Sequence, residues 1–123
     1  MATGTIQMMP TSGTEGNWTW VRIGNILICT ITILLTNVSI TTSANGEYYG
    51  QFNTGVHPPS VLKSVINTFA SVGTGSTSGG VRLNRAILWG AGASDTISVI
   101  LASNTSRTDS NYAVSFMAIG SAV

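Results

Sequence analysis

The sequence predicts an all-β protein: an antiparallel β-sandwich, or a jelly-roll-like barrel, of about eight strands. Three observations carry this. Apolar residues alternate with the two-residue period of a strand rather than the period of a helix. β-Branched residues crowd the apolar runs. Turn residues punctuate the chain at regular spacing, and no segment joins a helix cap to a helical period.

Taken in order, the first residues are polar, Gly-rich and irregular, and read as an arm or linker over 1–16, with Pro10 to Asn17 as a loop. The remaining residues, 17–123, read as one head domain. "WTWVRI" (Trp18 to Ile23) is the first alternating strand, with Trp18, Trp20 and Arg22 on one face, and "GN" at 24–25 is a turn. The run from Gly24 to Thr42 is the most apolar stretch of the chain. Thr30 and Thr32 interrupt it, and Asn37, Ser39, Thr41 and Thr42 follow, so it is too short and too polar for a spanning helix of roughly 20 apolar residues. Split by parity, Leu27, Cys29, Ile31, Ile33 and Leu35 form a wholly apolar face. Ile26, Ile28, Thr30, Thr32 and Leu34 form a mixed one. The run is therefore a strand, or two strands broken near Thr36-Asn37. Ile26 and Ile28 need cover from a second layer or another subunit.

Asn45-Gly46 is a type I′ hairpin signal, followed by a short strand from Glu47 to Phe52. Pro58-Pro59 removes two backbone donors and marks a loop. Val61 to Val72 fits both periods, and its β-branched content favours a strand. Gly73 to Gly80 is a polar Gly/Ser loop. In Val81 to Gly90, the residues Val81, Leu83, Ile87 and Trp89 share one parity. "TISVILAS" and "YAVSFMAIG" supply the last two strands, with a polar loop between them.

Composition narrows the function classes. Charged residues make up 7% of the 123 residues, against about a quarter in ordinary domains, and the net charge is +1. No electrostatic footprint points to nucleic acid, and no membrane insertion is expected. The single cysteine, Cys29, reads as a small buried hydrophobe. One His, one Cys and four scattered acids do not make a zinc site, and Asp95 and Asp109 read as turn residues. His57 has no nucleophile-elbow motif to serve, so no catalytic residue, cofactor or metal is expected.

Binding chemistry is better represented. Sugar faces pack on aromatic rings while polar groups fix the hydroxyls. Tyr48 and Tyr49 are adjacent, so in a strand one of them faces outward. Arg82 and Arg85 stand near a strand start, where they can clamp an anionic group or simply be solvated. Tyr48, Tyr49, His57, Arg82 and Asp95 are the candidate ligand contacts.

Three stretches carry a resemblance. "GNWTWVRIGNILICTITI" is an aromatic-bearing strand, a tight Gly turn and a long apolar strand. "YYGQF…HPPSVLKSVI" is a hairpin strand and a Pro-containing entry to the next strand, and "YAVSFMAIG" is a closing strand. Together they resemble the C-terminal receptor-binding head of bacteriophage tail fibre or baseplate proteins over most of residues 16–120. The Gly/Ser loop and the "ILLTNVSITTS" extension depart from that pattern. The resemblance implies a homotrimeric, non-enzymatic head at the virion tail tip. Its partners would be neighbouring phage tail proteins and a bacterial cell-surface saccharide or other host receptor. A threefold assembly would also cover Ile26 and Ile28, the candidate oligomer interface. A structural virion component, or a carbohydrate-binding module of a secreted bacterial protein, are the alternatives.

Overall fold

The computed structural model describes residues 10–72, 81–88 and 95–123. Its strands are β1 (Thr11–Glu15), β2 (Trp18–Ile23), β3 (Ile26–Ile40), β4 (Thr42–Ala44), β5 (Glu47–Asn53), β6 (Leu62–Val72), β7 (Arg82–Leu88), β8 (Ile97–Ser103) and β9 (Arg107–Ala122). They form a five-stranded sheet in the order β1-β2-β3-β9-β6 and a four-stranded sheet in the order β4-β5-β8-β7, all pairs antiparallel. Neither sheet closes on itself, so the architecture is a sandwich rather than a barrel.

The parity of β3 is realised in full. Leu27, Cys29, Ile31, Ile33 and Leu35 are buried, while Ile26, Thr30, Thr32 and Leu34 are exposed and Ile28 is half-buried. The inward face packs with Tyr112, Val114, Phe116 and Ala118 of β9 and with Ile97, Val99 and Leu101 of β8 in one core. The expected break near Thr36-Asn37 is a bulge rather than an end. The β3–β9 register shifts between Leu35 and Val38, where Asn37 takes a φ of 53°, and the strand continues to Ile40. Asn45 and Gly46 both have positive φ, 53° and 79°, as a type I′ turn requires, and join β4 to β5. Val61 to Val72 resolves as the strand β6.

Two expectations are corrected. Pro10 to Asn17 is not a loop throughout, because Thr11–Glu15 pairs with β2 as an edge strand. Only the pairing partner reveals it: "TSGTE" has no apolar alternation, and Gly13 is needed because the Trp20 ring lies across it. A Cβ there would stand 2.5 Å from Trp20 Cζ2. The second correction concerns β7. Its register shifts between Leu83 and Arg85, so Asn84 is an extra residue and the alternation reverses. Ala86 and Leu88 join Val81 and Leu83 against the core. Of the face expected from Val81, Leu83, Ile87 and Trp89, Val81 and Leu83 meet the core, and the Ile87 side chain lies outside what is described. Trp89, the Gly/Ser loop 73–80 and residues 1–9 of the arm lie outside the described residues.

The loop after β5 ties the sheets together at one end. Thr54 N–H donates to the Ile97 carbonyl at 2.9 Å, and Ile97 N–H donates to the Val56 carbonyl at 3.0 Å. Trp18 Nε1–H donates to the His57 carbonyl at 2.8 Å, and its ring meets Phe116 edge-on, with centroids 6.3 Å apart at 83°. Glu15 accepts from the Ser60 N–H at 2.7 Å and from its hydroxyl at 2.5 Å, anchoring β1 to the same loop.

Burial pushes the Cys29 thiol up from 9.0 to about 11. The folded chain holds this proton more tightly than the unfolded chain. The stability it contributes is complete below 9 and is lost as pH rises from there towards 11. At neutral pH the thiolate fraction is about a hundredfold below that of an ordinary thiol. The native chain is expected to react slowly with a disulfide reagent, and at the free-thiol rate only in denaturant. Rapid labelling of the native chain would refute this burial.

Candidate functional site

The outer face of the four-stranded sheet collects polar and aromatic side chains by register. Tyr49, Ala102 and Arg82 form one cross-strand row, and Gln51, Ile100 and Arg85 the next. Arg82 and Arg85 are three positions apart, which in a regular strand puts them on opposite faces. The Asn84 bulge puts both outward. Ala102, between Tyr49 and Arg82 in register, is fully buried.

Glu47 organises this face. Tyr49 Oη donates to Glu47 Oε2 at 2.9 Å, and Arg82 Nη2 donates to Glu47 Oε1 as an ion pair. The carboxylate is held below its usual range, first by the Tyr49 hydrogen bond and then by Arg82. The Tyr49 phenol is pushed up, chiefly because it donates to that carboxylate. With Arg82 46% exposed, the pair adds little stability; it fixes the direction of the Tyr49 ring and the guanidinium. Arg85 is exposed and makes no hydrogen bond or ion pair among the described residues. In the Glu47→Gln variant the Tyr49 phenol is expected to titrate at lower pH than in the parent, followed by NMR of the tyrosine ring. An unchanged Tyr49 titration would show that the Glu47 bond does not set it.

The five candidate contacts do not form one site. Tyr49 and Arg82 meet through Glu47. Tyr48, opposite Ser103, turns inward and packs against the core, so it is not part of the outward cluster. His57 and Asp95 meet at the far end of the sandwich, where His57 Nδ1 lies 2.9 Å from the Asp95 carbonyl. The run of β8 from Ile97 to Ala102, roughly 17 Å of strand, separates the two groups. Glu47 and Gln51 were missed in the sequence, although their spacing from Tyr49 on β5 was a usable signal. Among the described residues, no three His, Cys, Asp or Glu side chains gather as a metal site.

The outer face of the five-stranded sheet is of opposite character. Its cross-strand rows are Ile23-Ile26-Ser121-Ser64, Val21-Ile28-Ile119-Asn67, Thr19-Thr30-Met117-Phe69 and Thr32-Ser115-Ser71. None of these positions carries a charge. Ile26 is 48% exposed, Phe69 49%, and Leu34, just beyond the last row, 72%. Ile28 is half-buried between its neighbours Val21 and Ile119.

By class, then, the chain is a two-layer antiparallel β-sandwich whose two outer faces differ sharply in polarity. A solved structure shares this fold: the fibre of the P. aeruginosa R1 pyocin, determined as a C-terminal fragment. The two align with a TM-score of 0.57 at 12% identity, over 91% of this chain. The chain spans 28% of the length of that fragment. No protein-family model and no curated protein matches the sequence.

Proposed function

We propose that the chain is the receptor-binding head of a phage tail-fibre-like particle. In this reading it assembles as a homotrimer at the tail tip, joins neighbouring tail proteins, and attaches without catalysis to a bacterial cell-surface saccharide. The observation that carries the proposal is the contrast between the two outer faces. The cross-strand rows of the five-stranded face carry no charge and expose Val21, Ile23, Ile26 and Phe69, which suits burial against further copies of itself. The rows through Ile26 and Ile28 would form that interface. The four-stranded face presents Tyr49, Gln51, Arg82 and Arg85, which suits a polyhydroxyl or anionic ligand. The fold shared with a pyocin fibre supports the same reading.

The test is the solution mass by light scattering, followed by adsorption of the assembled protein to bacterial cells in competition with purified surface polysaccharide. The expected mass is three times the 12.8 kDa chain. A monomer sinks the trimer, and adsorption indifferent to every surface polysaccharide sinks the saccharide receptor.

A further inference from the structure

The polar end of the five-stranded face holds a groove of about 780 Å³. It lies over the rows Thr19-Thr30-Met117-Phe69 and Thr32-Ser115-Ser71, with Asn17 at one end and Leu34 on the rim. Its volume falls in the roughly 300–1,000 Å³ range of small-molecule sites. We propose that this groove is a second binding site, taking a neutral saccharide.

The lining suits such a ligand. Thr19, Thr30, Thr32, Ser71 and Ser115 converge on it, and none of these hydroxyls, nor the Asn17 amide, makes a side-chain hydrogen bond among the described residues. By contrast, Ser64 on the same face bonds Ser121 at 2.5 Å, and Thr54 bonds the Ile97 carbonyl. Hydroxyls both donate and accept, as sugar hydroxyls do, so each can meet a saccharide in either sense. The half-exposed Phe69 ring offers a surface for the C–H groups of a sugar. No lining residue is charged, which selects against carboxylated or phosphorylated ligands because nothing there compensates their desolvation.

The same chemistry separates the groove from the interface rows. A second protein copy closing over unpaired hydroxyls would leave them unsatisfied. In the Ile26 and Ile28 rows the polar groups are fewer and already engaged in part: Ser64 and Ser121 bond each other, and Asn67 Oδ1 accepts from the Thr68 N–H. The assignment is also independent of the Tyr49–Arg82 platform, which faces the opposite way.

The experiment is an amide NMR titration of the assembled protein with three probes: glucose trimers, N-acetylglucosamine trimers and an acidic galacturonate trimer. One neutral trimer is expected to shift the amides of Thr30, Thr32, Ser71 and Ser115, and the acidic trimer to leave them unmoved. The Thr30→Val/Ser115→Ala variant keeps the shape of the strands. It should bind that neutral trimer about tenfold more weakly, with unchanged mass and Tm. Phe69→Ala should weaken binding without changing the mass. Unchanged affinity in both variants, no shift with either neutral trimer, or shifts confined to β5, β7 and β8 would each overturn the groove. The last outcome would leave the platform reading standing.

Discussion

Gly120→Ala is expected to destabilise the chain by about 3 kcal/mol or more, out of a total on the order of 5–15 kcal/mol. Gly120 lies on β9 between Leu27 of β3 and Val65 of β6, so both its neighbours are strands. A Cβ there would stand 1.9 Å from the Ser64 carbonyl oxygen and 2.9 Å from Leu62 Cδ1. The oxygen belongs to backbone and cannot rotate away. It comes so close because β6 shifts register on both sides of this point, between Leu62 and Ser64 and between Val65 and Asn67. Relief requires β6 to lift from β9, which breaks ladder hydrogen bonds and uncovers Leu62, only 2% exposed. Thermal unfolding followed by circular dichroism should show a fall in Tm on the order of 10 °C. Amide exchange should show protection lost first along β6. A parent-like Tm would mean that β6 does not approach β9 this closely.

Ile28→Lys is expected to convert the proposed trimer to monomers. Ile28 stands between Val21 and Ile119, among cross-strand rows that carry no charged residue. In an isolated chain the lysine stem can lie along that row with its ammonium in water, so the fold should survive. In an assembly closed over this face, the ammonium would be buried without a partner, a penalty of several kcal/mol per site, repeated in each copy. Light scattering should give the mass of one chain, with a far-ultraviolet spectrum like the parent's. Arg85→Lys, on the opposite sheet, should leave the mass unchanged. A variant that keeps the parent mass would remove the Ile26 and Ile28 rows from the interface and leave their exposure unexplained.

Much of the fold was legible because it depends on alternation along a single strand. The faces of β3 follow directly from its parity, and so does the burial of Cys29. The Asn45-Gly46 turn follows from the backbone conformations that those two residues tolerate. The candidate site was less legible. The adjacency of Tyr48 and Tyr49 implied one outward ring without saying which. The partnership of Tyr49 with Arg82 needs β5, β8 and β7 laid side by side. His57 and Asp95 do meet, but through a backbone carbonyl and at the other end of the sandwich.

Local period and composition were enough to set the all-β class, the inward face of the long strand and the scarcity of charge. Tertiary packing set the rest. It drew the apparently irregular "TSGTE" into the sheet as an edge strand, through main-chain pairing that needs no apolar pattern. It turned Arg82 and Arg85 to one face through a one-residue bulge, which reverses parity without leaving a mark in hydrophobicity. It also gathered hydroxyls from β2, β3, β6 and β9 into one groove. These residues are distant in the chain and neighbours only across the ladders, so register alone brings them together.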